Sequence, residues 1–312
     1  MSSEVRRAAQ ILRAGGLVAF PTETVYGLGA DAANEKAVSR LYAVKRRPAA
    51  HPVIIHFENS ERAFAWAREV PEAAARLAAR YWPGPLTLVL KRSALAKNFV
   101  TGGQDTVGLR VPSHAIAQQL LKEFGGAIAA PSANRFGLVS PTTAAHVRDD
   151  LGKDADLVLE GGASEVGIES TIVDLSGDAP VLLRPGRVSK EQLESVLGPV
   201  REKAATSPRH PGGMERHYAP RTPARMVPSH ALDGAITGLK ARVAVLAFSR
   251  PDERVDYWLR MPREPQAYAQ RLYAALRELD TAGCEHILVE APPDSPEWAA
   301  VRDRLRRACG QA

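Results

Sequence analysis

Cysteine is nearly absent: 312 residues carry two, Cys284 and Cys309, and neither belongs to a Cys-x-x-Cys pair. No disulfide framework and no cysteine-built zinc site can come from that supply, and two unpaired thiols suit a reducing compartment. Aromatic residues are also few, at 6%, and they are not interleaved with basic residues as on a base-stacking surface. Long apolar runs are missing. Nothing approaches the roughly 20 residues that span a bilayer, and the apolar stretch 17–20 behind Arg6 and Arg7 is too short for a secretory leader. A cytoplasmic chain with no membrane partner is the expectation.

Several chemical signatures are lacking too. There is no His-Glu-x-x-His, no Gly-x-Ser-x-Gly elbow, no Gly-x4-Gly-Lys-Ser/Thr phosphate loop and no Gly-x-Gly-x-x-Gly. The eight histidines are scattered. Metal-hydrolase and serine-hydrolase chemistry therefore gets no support, and a dinucleotide site is not indicated. No block of five or more like charges occurs, although the net charge is +6. That charge suits anionic substrates or weak binding to RNA and establishes neither.

What is present is a globular composition, 45% hydrophobic and 24% charged, in a chain long enough for two domains. Apolar periodicity and caps predict helices over 4–14, 34–45, 61–68, 72–81, 114–124, 143–151 and 189–197. The last carries a Ser189/Gln192 capping box and stops at Gly198. Short apolar strands are expected at 17–20, 53–55, 86–90, 107–111, 127–130, 157–159, 170–175 and 181–183. Intermixed in this way they imply an α/β fold, an open mixed twisted sheet with helices, over 1–203. Residues 204–228, rich in Pro, Gly, Arg and His, read as a linker. Residues 229–312 then alternate strand 243–248, helix 265–280, strand 286–290 and helix 295–308, a small Rossmann-like α/β domain.

The polar residues that follow the apolar strands are candidates for ligand contact, because open α/β sheets bind at strand ends. Phe20 precedes Pro-Thr-Glu-Thr-Val-Tyr-Gly-Leu-Gly at 21–29, and Ala130 precedes Pro-Ser-Ala-Asn at 131–134. Each hydroxyl taken alone is equally a turn former or cap. Lys45-Arg46-Arg47-Pro48 either complements a helix C-terminus or clamps polyphosphate. Arg110 and Arg184 lie in apolar strands, where a half-buried guanidinium needs an anionic partner, either a ligand or an internal carboxylate. His56, closing a strand, is a satisfied structural residue or a ligand contact.

In order, these segments resemble the threonylcarbamoyl-AMP synthase, or YrdC-like, family. The resemblance runs over about residues 5–200 through Pro-Thr-Glu-Thr-Val-Tyr-Gly-Leu-Gly, Lys-Arg-Arg-Pro, His56, Trp-Pro-Gly-Pro-Leu-Thr, Gly-Leu-Arg-Val-Pro, Pro-Ser-Ala-Asn, Glu-Ser-Thr-Ile-Val-Asp and Arg-Pro-Gly. The linker 211–220 and the tail are similar to those of the longer, two-domain members, which implies that 204–228 is an active-site lid whose Tyr218 closes over the nucleotide. The resemblance implies that ATP, L-threonine and bicarbonate become threonylcarbamoyl-AMP and pyrophosphate, with Mg2+ accompanying ATP. The product would pass to a tRNA threonylcarbamoyl-transferase complex for modification next to the anticodon. It further implies that Thr24, His56, Arg110, Ser132 and Ser170 hold threonine. Lys45, Arg47, Thr106, Asn134, Ser140, Thr142, Arg184 and Tyr218 would serve the nucleotide, with Lys45 and Arg47 neutralising the phosphates. His51 stands where the family has Asn, at a proposed ATP contact. A nucleic-acid-binding module and a carbamoyl-adenylate-forming enzyme with another acceptor are the alternatives to test.

Overall fold

The protein is described by a computed structural model covering residues 3–214 and 216–309. Met1, Ser2, the linker residue Glu215 and residues 310–312 lie outside the described residues. The first part of the chain runs α1 (Ser3–Arg13), β1 (Val18–Phe20), β2 (Gly27–Asp31), α2 (Glu35–Lys45), β3 (Ile54–His56), α3 (Ser60–Phe64), α4 (Glu72–Tyr81), β4 (Leu86–Lys91), α5 (Asn98–Thr101) and β5 (Thr106–Arg110). It continues with α6 (Ala115–Phe124), β6 (Ile128–Ala129), α7 (Ala144–Leu151), β7 (Leu157–Val158), β8 (Thr171–Asp174), β9 (Val181–Arg184), α8 (Lys190–Leu197) and β10 (Arg201–Glu202). The ten strands form one mixed sheet in the order β10-β9-β8-β4-β5-β3-β6-β2-β1-β7.

The rest of the chain builds a second sheet from β11 (Ala224–Val227), β12 (Val243–Ala247), β13 (Tyr257–Arg260) and β14 (His286–Glu290), with α9 (Leu232–Gly238), α10 (Pro265–Asp280) and α11 (Ala299–Cys309). Its strands are all parallel, in the order β11-β14-β12-β13. Two expectations need correction here. Residues 224–227, assigned to the linker, are a strand of this second sheet, paired in parallel with β14. Two elements of this domain, α9 and β13, went unread. A four-residue strand behind a Pro- and Arg-rich stretch shows too little alternation to stand out.

β2 also went unread. Its Gly-Leu-Gly-Ala-Asp sequence has weak strand propensity, yet it pairs with β1 and β6. Gly29 makes this possible, since a Cβ there would lie 2.9 Å from both Phe20 and Ile128 side-chain carbons. Local caps did decide the helices. Asn34 accepts from the Lys36 and Ala37 amides at the start of α2, and α8 has its full capping box.

Period-two alternation assigns the two faces of the central strands. Ile55, Leu88, Leu109 and Val173 enter the main core. The opposite face carries Ile54 and His56, Gly108 and Arg110, Thr87 and Val89, and Ile172, set side by side by the register pairs Ile54↔Gly108, His56↔Arg110, Val89↔Gly108 and Thr87↔Ile172. Only a small apolar cluster, Ile54, Val89, Ile172 and Leu183, forms on that face. Arg209, His210 and Pro211 of the linker join Ile54, Thr87, Val89, Gly108 and Ile172 around one small pocket.

Candidate active site

Under the linker lie three cations that are almost wholly buried: Lys45 at 1% exposure, Arg47 at 7% and Arg184 at 2%. The end of α2 explains the first two. Arg46 takes the left-handed conformation, φ 53°, that terminates the helix. Arg46 is thereby exposed while its two neighbours turn inward. The Lys45 Nζ donates to the Ser132 carbonyl at 2.5 Å and to the Asn134 carbonyl. Arg47 donates to the Pro52 carbonyl at 2.7 Å and lies over the Phe136 ring, 5.4 Å from its centroid. Arg184, closing β9, donates through Nε to the Ser170 carbonyl (3.0 Å) and through Nη2 to the Ser170 hydroxyl (3.2 Å). Its Nη1 reaches the Pro211 carbonyl (2.9 Å) and the Tyr218 hydroxyl (3.3 Å).

Among the described residues none of the three forms an ion pair with a carboxylate. Burial pushes the Lys45 ammonium well below its usual range, and neighbouring Arg47 adds to the shift. Burial likewise lowers both guanidiniums, which also repel one another. Buried like charges without a counterion destabilise the fold. The cluster meets what an anion site requires, and among the described residues every hydrogen-bond partner of the three cations is a neutral group.

A second group sits beside it. Arg110 donates to Glu23 at 2.8 Å and to the Gly84 carbonyl at 3.3 Å, both partners of the ion pair being buried. The internal carboxylate left open by the sequence is thus Glu23, whose other oxygen takes the Ser113 amide at 3.1 Å. Burial, reinforced by Arg110, holds the His56 imidazole at about 3, so it is neutral at pH 7. The Thr24 hydroxyl meets that of Thr22 at 2.8 Å, and the Ser170 hydroxyl meets that of Thr87 at 2.8 Å. Ser170 therefore links Thr87 on the sheet face to Arg184.

Three residues picked from sequence carry buried polar atoms with no partner among the described residues: Arg47 Nε, His56 Nδ1 and Asn134 Oδ1. Leaving one such group unpaired costs about 1–3 kcal/mol, so each stands open to a ligand atom. The remaining candidates are placed more loosely. The Ser132 side chain is half-buried, and its carbonyl, not its hydroxyl, holds Lys45. Thr142 faces His146 at 3.4 Å, and Ser140 donates to Glu169 at 2.6 Å. Thr106 lines the small pocket beneath the linker, beside Pro52. His51 sits half-exposed at the rim, edge-on to Phe136 at 5.4 Å.

Tyr218, expected to close over a nucleotide, goes further: it is buried, with φ 61°, and its hydroxyl occupies Arg184. Gly212, φ 77°, allows this, because a Cβ there would overlap the Tyr218 hydroxyl. A cavity of about 1520 Å³ lies elsewhere, between the two domains, and reaches Glu23 and Ser113 at one side. Sequence reasoning missed Glu23, Glu169, Phe136 and His217. The two carboxylates were in plain view inside the motifs, each next to a hydroxyl that was chosen. Among the described residues no group of three or more His, Cys, Asp or Glu side chains is placed to hold a metal, and a magnesium ion carried in on phosphate oxygens would need none.

Buried cations without a carboxylate partner, gathered at the ends of α2 and β9 in an open α/β sheet, define a site of the anion-binding class. Comparison with known proteins supplies the family. Residues 10–186 match the Sua5/YciO/YrdC model, described as telomere recombination, and residues 188–310 match the threonylcarbamoyl-AMP synthase C-terminal domain. The chain belongs to the threonylcarbamoyl-AMP synthase family, in its two-domain form. The Pyrococcus abyssi threonylcarbamoyl-AMP synthase is 41% identical, over 98% of this chain and 94% of its own. That of Bacillus subtilis is 39% identical over 98% and 93%. The crystal structure of the Pyrococcus abyssi Sua5 protein complexed with L-threonine matches with a TM-score of 0.93 and 40% identity, covering 98% of this chain and 94% of that one. No described helix is long and apolar enough to cross a membrane.

Proposed function

We propose that the chain joins L-threonine, bicarbonate and ATP into threonylcarbamoyl-AMP and pyrophosphate beneath the linker. The reaction is cytoplasmic, and the product passes to a tRNA threonylcarbamoyl-transferase complex. The observation that carries this reading is the trio Lys45, Arg47 and Arg184, buried without carboxylates. Polyphosphate supplies the missing negative charge. A guanidinium fork and a point-charge ammonium suit its oxygens.

Threonine enters as its ammonium form, gives up one proton to solvent, and as the amine combines with bicarbonate to give a carbamate and water. A carbamate oxygen bonds to the α-phosphorus of ATP, and the bond to pyrophosphate breaks. The nucleophile is the substrate's own, so the protein positions the fragments and stabilises charge. Arg110 takes the threonine carboxylate while remaining beside Glu23, whose carboxylate also faces the incoming ammonium group. Neutral His56 offers its unpartnered Nδ1 and adds no charge. Ser170, between Thr87 and Arg184, aligns the amino acid with the phosphates. Magnesium, when bound with ATP, adds charge neutralisation on the phosphates. Binding of phosphate at Arg184 displaces the Pro211 carbonyl and the Tyr218 hydroxyl, so the linker has to move for the nucleotide to enter. Its return would exclude water from a hydrolysable adenylate.

The test supplies ATP, L-threonine and labelled bicarbonate, and follows pyrophosphate and labelled adenylate. Both should appear, and only when threonine is present. Pyrophosphate released equally well without threonine overturns the substrate assignment; release with another amino acid in preference points to a different acceptor.

A further inference from the structure

The seam between the domains holds a polar cluster to which the reaction just described gives no task. Glu169 directly precedes Ser170 and is buried. One carboxylate oxygen takes the Ser140 hydroxyl at 2.6 Å; the other takes the Tyr273 hydroxyl at 2.9 Å and Arg304 Nε at 2.7 Å. Tyr273 lies on α10 and Arg304 on α11, so both come from the second domain. Arg304 has no exposed surface. Its other nitrogens donate to the Glu169 carbonyl (3.1 Å), the Pro185 carbonyl (3.0 Å) and Asp303 (2.7 Å). The guanidinium also lies over the Tyr218 ring, 5.5 Å from its centroid. The loop ahead of Glu169 rests on α10 itself: a Cβ on Gly167 would come within 2.6 Å of the Ala269 and Gln270 carbonyls.

Charge accounting in this cluster shows what Arg304 does. Glu169 and Asp303 face three guanidiniums, Arg304, Arg307 and Arg184. Arg304 bonds both carboxylates and Arg307 bonds Asp303, while Arg184 bonds neither and holds only neutral groups. A buried carboxylate deprived of its cation takes the nearest one remaining. For Glu169 that is Arg184, which already acts on it electrostatically.

We infer that Arg304 of the second domain is a positioning residue of the nucleotide site: by occupying Glu169 it keeps Arg184 free to take a phosphate oxygen. The second domain is then part of the active site, through Arg304 on Glu169 and on the Tyr218 ring. This rests on the proposed seating of phosphate at Arg184, and the experiment separates the two.

ATP and L-threonine are titrated calorimetrically into the full-length wild type and into Arg304→Met, Glu169→Gln, the double variant and Arg184→Met, with a melting curve for each. Arg304→Met is expected to weaken ATP by about tenfold or more while threonine affinity moves by less than about threefold. The double variant, which removes the competing carboxylate as well, should recover ATP affinity to within about threefold of the wild type. Glu169→Gln alone should also stay within about threefold for ATP, since Arg184 then has no rival anion. A merely structural seam predicts otherwise: both ligands weaken together, and Glu169→Gln is as damaging as Arg304→Met. That pattern, or a double variant no better than the single one, overturns the inference. Should Arg304→Met fail to fold, a tenfold loss of ATP in Glu169→Gln overturns it still. If Arg184→Met binds ATP like the wild type, the seating of phosphate has failed instead.

Discussion

Two sets of cations, buried but for the half-buried Arg277, meet in this molecule and are satisfied in opposite ways. At the domain seam, Arg277 donates to Asp150 at 2.5 Å, Arg304 to Glu169 and Asp303 at 2.7 Å, and Arg307 to Asp303 at 3.0 Å. In the cleft, Lys45, Arg47 and Arg184 touch carbonyls, hydroxyls and an aromatic ring. The first set holds structure together. The second weakens it, and a fold keeps such a set where a ligand brings the counter-charge. Burial alone does not separate these two sets; the partner does, while Arg110, buried and paired with Glu23, belongs to neither.

The comparison breaks most visibly if the two sets respond alike to neutralisation. Lys45→Met should lower threonine-dependent pyrophosphate release by about a hundredfold or more while the melting temperature holds or rises, because an unpaired buried charge has gone. Arg304→Met should do the reverse to stability, lowering it by about 3–5 kcal/mol as Glu169 is left unpaired. Chemical denaturation of both variants checks this, and equal losses of stability would erase the distinction.

Gly212→Ala sharpens the comparison at the linker. The added carbon collides with the Tyr218 hydroxyl, and φ 77° disfavours any side chain. Tyr218 should leave Arg184, with faster hydrogen exchange over 209–220 and a core melting temperature little changed. Unaltered exchange would mean that Tyr218 is not held by the space beneath Gly212.

A smaller effect is expected from acid. Burial, chiefly, holds His210 and His217 of the linker at about 3, against about 6.5 for an exposed imidazole. Below pH 6.5 a lifted linker takes up protons that a seated one refuses. Seating is therefore complete above pH 6.5 and lost as pH falls toward 3, by up to about tenfold per pH unit for each imidazole. Exchange over the linker, corrected for its intrinsic rate, should rise between pH 7.5 and 5.5; a flat profile would place both rings in water.

Much of this was legible in the chain because it was written locally. Asn34, the Ser189/Gln192 box and the apolar strands announced their elements, and Arg110 and Arg184 announced a need for anions by standing in apolar strands. What stayed hidden depends on distance along the chain. Glu23 as the partner of Arg110 comes from 87 residues away, and Arg304 reaches Glu169 across 135. In α11 an arginine among other charges looks like a solvated face, and no period in the sequence tells that another domain covers it. β2 and β11 stayed hidden for the opposite reason, being too short and too glycine- or arginine-laden to show alternation.

The most direct measurement is a crystal structure with L-threonine and a non-hydrolysable ATP analogue. Phosphate oxygens should lie within hydrogen-bonding distance of Lys45, Arg47 and Arg184, with the Pro211 carbonyl and the Tyr218 hydroxyl withdrawn from Arg184. A nucleotide lodged in the interdomain cavity, with Tyr218 still on Arg184, would contradict the account.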